Sequence, residues 1–273
     1  MPDAIQTKAD ADAIAAEVLA AVDRRRQITP FSQRPGGLTQ GEAWRVTAGI
    51  VRLRQARGET IVGRKIGFTN SRMWAEYGVD APNWGYMTDG SVADLKSPAP
   101  LAAFIDPKIE PEIVFGLGAA PRAGMDESAL MACIDWVAHG FEIVQSIFPQ
   151  WKFTPADTVA ANAMHGALLI GPRHPFKPRA EQWRGELASF TIELCRNGEV
   201  ADRGAGANVL ESPLNALRHL VGLLASDPVN PPLKAGEIVS TGTLTRALPI
   251  APGETWRTRL SGIALDGIEL RFT

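Results

Sequence analysis

Lys108-Ile109-Glu110-Pro111-Glu112-Ile113-Val114-Phe115-Gly116-Leu117, KIEPEIVFGL, is the stretch on which the reading of this chain turns. Its apolar residues are mostly β-branched or aromatic, so it predicts a strand. Strand residues two apart share a side, which puts Glu110 and Glu112 on one face and Ile109, Pro111, Ile113 and Phe115 on the other. Two carboxylates on one face repel each other. One explanation is a solvated face on an edge strand, which Pro111 favours because it has no N–H for a ladder. The other is a bound cation, since paired hard oxygens suit Mg²⁺, Mn²⁺ or Ca²⁺, with Pro111 marking a bulge that aims them. A third oxygen ligand favours the cation, and Glu142 in the later apolar run Gly140-Phe141-Glu142-Ile143-Val144 is the candidate.

Upstream, residues 8–27 carry Ile14, Val18, Leu19 and Val22 at helical spacing and end in Arg24-Arg25-Arg26, where cations suit a helix C-terminus. Thr39 and Glu42 form a T-x-x-E capping pattern that opens a second helix, which stops at Gly58. Residues 1–60 are therefore read as a helical region and 61–273 as a separate, β-rich unit. In that unit, 60–68 predicts a strand, Ser71 caps a short helix ending at Gly78, and 80–85 (DAPNWG) reads as a loop. Downstream, the pattern predicts a helix over 126–138, a strand at FEIVQS, a helix start at Thr154-Pro155-Ala156-Asp157 and a strand at HGALLIG. Hairpins follow at Asn197-Gly198 and Asp266-Gly267, with a helix opening at Ser212-Pro213 and the strand GEIVSTGTLT between them. Hairpins outnumber βαβ units, so the fold class is α+β with a mixed, largely antiparallel core. The Pro-rich pieces 97–100 and 228–232 read as connecting loops.

The chain has 273 residues, 45% hydrophobic and 21% charged, enough to bury its own core. A formal charge of −2 with mixed signs gives no reason to expect nucleic acid or an anionic membrane as partner. Cys133 and Cys195 lack CxxC spacing and read as reduced thiols. The N-terminus carries Asp3, Asp10 and Asp12 with no apolar run of signal length, and no segment has the length of a membrane span, so a soluble, cytoplasmic protein is expected.

Lys65 lies in a short apolar strand, where a lysine either snorkels or meets a carboxylate; beside a carboxylate cluster it would be a positioned acid/base. His174 and His219 read as loop and helix-surface residues. His139 reads as the cationic end of the 126–138 helix and His165 as the start of a strand, neither with zinc-site spacing. The glycines of 204–208 and 240–243 lack a nucleotide-binding pattern, but Ser240-Thr241-Gly242-Thr243 offers hydroxyls and N–H groups for a substrate carboxylate.

Taken in order, GRKIGFTN, YGVDAPNWGYM, KIEPEIVFGL, FEIVQS, DTVAANA, LNAL and GEIVSTGTLT resemble the fumarylacetoacetate hydrolase superfamily over roughly residues 60–273. The branch they are most similar to is that of the 2-keto-4-pentenoate hydratases and 4-oxalocrotonate decarboxylases of aromatic meta-cleavage pathways. The resemblance implies a β-roll core, a homo-oligomer, and Mg²⁺ or Mn²⁺ held by Glu110, Glu112 and Glu142. It implies Lys65 as the active-site lysine; Asn83 and His165 are the further catalytic candidates, and Gln145, Ser146, Asp157, Thr241 and Thr243 the candidate substrate contacts. The activity implied is hydration of a 2-hydroxy-dienoate or 2-oxo-4-enoate, with the metal chelated by a small 2-oxo acid so as to stabilise the adjacent enolate. Decarboxylation, acylpyruvate C–C hydrolysis with His165 or His139 as base, and a non-catalytic binding protein are the alternatives. The chain departs from the pattern at Asn83, where the hydratases resemble P-D-F-G, at Ala161, which replaces an acid, and at Ile147, which replaces the arginine of an S-R pair. Substrate choice is expected to be decided at these three positions.

Overall fold

The structure, a computed structural model, describes residues 8–96 and 98–273; Asp3 and Ser97 lie outside the described residues. The two N-terminal helices are α1 (Lys8–Asp23) and α2 (Gln40–Ala56). Thr39 and Glu42 form the reciprocal cap expected of T-x-x-E, each side chain taking the other's backbone N–H. Then come β1 (Ile61–Gly67), α3 (Trp74–Tyr77), β2 (Asn83–Thr88) and β3 (Val92–Asp94). The central hairpin consists of β4 (Lys108–Leu117) and β5 (Ile134–Val144), joined through α4 (Glu127–Ala132). It is followed by α5 (Pro155–Ala160), β6 (His165–Pro175), α6 (Ala180–Ser189), β7 (Thr191–Arg196) and β8 (Glu199–Ala205). The chain ends with α7 (Pro213–Ala225), β9 (Ile238–Thr243), β10 (Leu248–Pro249), β11 (Thr255–Ser261) and β12 (Glu269–Arg271).

The larger sheet runs β2-β1-β9-β4-β5-β6-β3, with β10 paired to β4, and the smaller runs β12-β11-β7-β8. Among the described strands, only β1 with β9 and β3 with β6 run parallel. The sheet is therefore mixed and largely antiparallel, as expected. One core lies between the large sheet and α6 and α7, around Phe115, Trp183, Leu217 and Val239. A second joins α1, α2 and α5 through Val18, Val46, Ile50 and Val159. Burying each such aliphatic side chain contributes roughly 1.5–3 kcal/mol. The two parts of the chain also meet where Trp44 of α2 stacks on Trp84 of β2, with centroids 4.8 Å apart.

Four expectations change. The helix expected over 126–138 ends at Ala132, and β5 takes over from Ile134, because this run is paired on both sides, by β4 and β6. A strand buried on both faces has the continuous apolar run of a buried helix, so periodicity could not divide them. The expected loop 80–85 gives way to β2 at Asn83, which pairs with Gly67. Pro111 is not on an edge: β4 lies between β9 and β5, and the Pro111 carbonyl accepts from Leu244 N. The bulge lies opposite, in β9, where the four residues from Ser240 to Thr243 span the three from Val114 to Glu112. Gly242 sits there with φ +97°, and a β-carbon on it would stand 1.9 Å from Thr69 Oγ1. Finally, α6 was not foreseen, although Trp183 and Leu187 are buried one turn apart.

Candidate active site and metal centre

The β4–β5 register makes Glu110 and Glu142 direct cross-strand partners and places Glu112 one pleat further on, opposite Gly140. One carboxylate oxygen from each of the three lies within 4.8 Å of the others. Glu112 and Glu142 are fully buried, whereas Glu110 is half-buried and faces a cleft. In β9, the bulge turns Gly242 N toward Glu112 Oε2 at 2.8 Å, and the Ser240 hydroxyl binds the same oxygen. Glu112 Oε1 has no partner among the described residues. A buried carboxylate oxygen without a donor carries a full desolvation penalty unless something positive meets it.

Lys65 comes from β1 on the far side of β9, and its Nζ lies 2.9 Å from Glu142 Oε2. Burial alone would lower the Lys65 pKa, but Glu142, Glu110 and Glu112 outweigh it and leave it raised. The same crowding acts on the acids. Burial, reinforced by Glu142 and Glu112, pushes the Glu110 carboxyl up to about 8 against the pull of Lys65 and Lys108. Burial and Glu142 raise Glu112 as well. With all three carboxylates ionised, one ammonium leaves the site short of positive charge by about the charge of a divalent ion.

His165 stands behind Glu142, not in the cleft. Its Nδ1 is 2.8 Å from Glu142 Oε1 and its Nε2 is 2.9 Å from Ser91 Oγ. Burial, with Lys65 and Arg54, holds its pKa well below that of an ordinary histidine, so the ring is neutral and its Nδ1–H donates to the carboxylate. His139 lies mid-strand in β5, not at a helix end. Its Nδ1 meets the Glu112 carbonyl at 2.9 Å and its Nε2 meets Thr258 Oγ1 at 3.0 Å. Burial lowers its pKa to about 4, so it is not the cation expected from the sequence.

The cleft above Glu110 is narrow and is walled by Phe68, Tyr77, Trp151 and Phe153. Of the other expected site residues, Lys65, Asn83 and Thr243 also line it. The remaining candidates are engaged elsewhere. Asp157 accepts from Thr154 N and Oγ1 and from Ser32 N and Oγ, and so joins α5 to the N-terminal region. Ser146 Oγ donates to Phe148 O, Gln145 Oε1 accepts from Ile105 N, and Thr241 Oγ1 donates to Ile113 O. Ala161 and Ile147 pack in the core shared with α1 and α2, so among the three departures only Asn83 lines the cleft.

Sequence reasoning missed Lys108, Tyr77 and Trp151 at the mouth. Lys108 Nζ donates to Tyr77 OH at 3.0 Å and lies 4.2 Å from the Trp151 ring centroid. It also missed the wall formed by Asn162, Ala163 and Met164, all with φ between +51° and +61°. Asn162 holds that wall by bonding both Tyr86 N and Tyr86 O with its amide. Three consecutive non-glycine residues at positive φ are strained, and the amide clasp is what maintains them.

Residues 73–266 match the family described as fumarylacetoacetate (FAA) hydrolase, C-terminal. A 2-hydroxyhexa-2,4-dienoate hydratase of Comamonas testosteroni is 31% identical over 251 residues, 89% of this chain and 91% of the relative. A 4-oxalocrotonate decarboxylase of Pseudomonas sp. (strain CF600) is 31% identical over 242 residues, 86% of each chain. Among solved structures, 4-oxalocrotonate decarboxylase from Pseudomonas putida G7, complexed with magnesium and adipate, superposes with a TM-score of 0.89 at 29% identity, over 99% of this chain and all of that one.

Proposed function

Because the chain belongs to the fumarylacetoacetate hydrolase C-terminal family, we propose that it is a divalent-metal-dependent hydratase of a 2-hydroxy-dienoate or 2-oxo-4-enoate. The observation that carries this reading is the cluster of Glu110, Glu112 and Glu142, in which Glu110 lines a cleft and the buried Glu112 Oε1 has no hydrogen-bond partner among the described residues. All the ligand atoms are hard carboxylate oxygens, which fits Mg²⁺ or Mn²⁺. Bound there, such an ion supplies Lewis-acid polarisation of a 2-oxo group and neutralises the carboxylates.

The protein's own groups do the rest. Ser240 and Gly242 N fix Glu112, and His165 and Lys65 fix Glu142, so two of the three carboxylates are oriented before any ligand arrives. Lys65, charged and buried at the edge of the cleft, gives and retrieves the proton as the dienol becomes the 2-oxo form. The aromatic walls exclude water from the far side of the substrate.

Decarboxylation of a dicarboxylic 2-oxo acid is the second reading, favoured by the likeness to the decarboxylase and by Lys108 at the cleft mouth, where it would meet a distal carboxylate. C–C hydrolysis lacks support, since neither His139 nor His165 lines the cleft. Incubation with 2-hydroxypenta-2,4-dienoate and with 4-oxalocrotonate in the presence of Mg²⁺ or Mn²⁺ separates these readings. Loss of the dienoate chromophore without CO₂ supports hydration, and CO₂ release from 4-oxalocrotonate alone supports decarboxylation. Turnover of neither overturns both.

A further inference from the structure

Asn83 is buried, yet it lines the cleft, and its Oδ1 has no hydrogen-bond partner among the described residues. The orientation of its amide is set in the wall behind it. Thr158 Oγ1 lies 2.7 Å from the Pro155 carbonyl, which only accepts, so the hydroxyl proton is committed there. What Thr158 offers Asn83, 2.8 Å away, is therefore a lone pair, and that demands the NH₂ end of the amide. Oδ1 is turned the other way, over Gly67, its cross-strand neighbour. A β-carbon on Gly67 would stand 2.9 Å from Asn83 Oδ1 and 3.6 Å from Lys65 Nζ. The amide oxygen and the ammonium thus border the same space, left open by a glycine.

We propose that Asn83 Oδ1 receives an O–H of the ligand: that of the water that adds to C4 of the 2-oxo-3-enoate, which the 2-hydroxy-dienoate becomes by taking a proton at C5 and losing that of its 2-hydroxyl, and, afterwards, that of the 4-hydroxyl it becomes. Thr158 is the positioning residue that holds the amide in the accepting orientation. This rests on the 2-oxo acid reading above and deepens it. In the addition, one O–H bond of water breaks, a C4–O bond forms, and the electron pair of C3=C4 takes the released proton at C3. The second O–H survives, and it is the one Asn83 holds. An amide oxygen takes up no proton near neutral pH, so Asn83 orients the water without acting as its base. A ligand carboxylate at this point would set oxygen against oxygen, so the arrangement selects a hydroxyl over a second acid group.

The test is calorimetric binding of 4-hydroxy-2-oxopentanoate and of 2-oxopentanoate, which lacks only the hydroxyl, to the Mn²⁺-loaded protein. One retained hydrogen bond predicts that the hydroxy acid binds about three- to tenfold tighter. Thr158→Val removes the lone pair that fixes the amide and is expected to abolish that preference while leaving Mn²⁺ affinity unchanged. Thr158→Ser keeps the hydroxyl and restores the preference, which a packing role for the methyl group would not do. Asn83→Ala reports the same loss if the valine variant fails to fold. Equal binding of the two acids to the wild type, or an undiminished preference in Thr158→Val, overturns the inference and leaves the 2-oxo acid reading standing. Binding of neither acid overturns both.

Discussion

Glu110 and Glu142 face each other as direct partners across the β4–β5 ladder, with Lys65 Nζ 2.9 Å from Glu142. Like charges opposite one another in a sheet are destabilising, and here both point into a site that Glu112 makes more acidic still. The pair is tolerable in two ways: with a proton on it, or with a cation between.

That alternative fixes a sign. Glu110 has its pKa pushed up to about 8, so near pH 7 the metal-free site keeps a proton that an unfolded glutamate would have lost. A bound cation displaces it. At pH 7, Mn²⁺ binding should release protons, and the affinity should rise as pH increases toward 8 and above. Binding heats measured in buffers of different ionisation enthalpy report this directly; heats independent of the buffer would contradict it.

Gly242→Ala tests the bulge that serves Glu112. At φ +97°, with its β-carbon 1.9 Å from Thr69 Oγ1, alanine must displace β9. The expected loss is on the order of 2 kcal/mol or more, a fall in Tm of roughly 4 °C or more. The Gly242 N–H would move from Glu112 with it, so Mn²⁺ affinity should drop in the same variant. An unchanged melting curve would show that the bulge is not strained.

Lys65→Met separates catalysis from metal binding. Removing the ammonium takes a competing positive charge from beside Glu142 while His165 still holds its other oxygen, so Mn²⁺ binding should be retained. Turnover should fall by about a hundredfold or more if Lys65 carries the proton. Wild-type kcat in this variant would remove it from the mechanism.

His139 makes folding depend on pH. Its folded pKa, about 4, lies below the ordinary value of 6.5, so between those limits the unfolded chain binds a proton that the native state refuses. Stability is therefore fully present above pH 6.5 and is lost as pH falls toward 4, by about 3 kcal/mol in all. Chemical denaturation of the metal-loaded protein at pH 7 and pH 5 should show a smaller acid loss in His139→Gln than in the wild type. Parallel losses would place the acid sensitivity elsewhere.

The sequence made the strands of the site legible because their residues speak locally: alternation in KIEPEIVFGL, a lone acid in GFEIV, a lysine in GRKIG. It did not reveal which side of His165 faces the cleft, because that depends on β5 and β6 pairing in register. Asp157 and Ser146, expected as ligand contacts, instead bind nearby backbone groups, a use that short polar side chains serve with the same composition. Pro111 suggested an edge, but a missing N–H is equally well accommodated beside a bulge that belongs to the neighbouring strand. Tyr77 and Trp151 line the cleft and Thr158 stands behind Asn83 only because distant segments fold together, so the three-dimensional arrangement is what brings them forward.

Titration of the protein with Mn²⁺, wild type against Glu112→Gln, bears most directly on the claim that the three glutamates form a metal site. Glu112 is held by Ser240 and Gly242 on one oxygen, and its other oxygen has no donor among the described residues. One ion per chain should bind the wild type, and the substitution should weaken it by at least about tenfold, since outer-shell partners of metal ligands alone are worth that much. No binding to the wild type, or the same affinity in Glu112→Gln, would contradict the account.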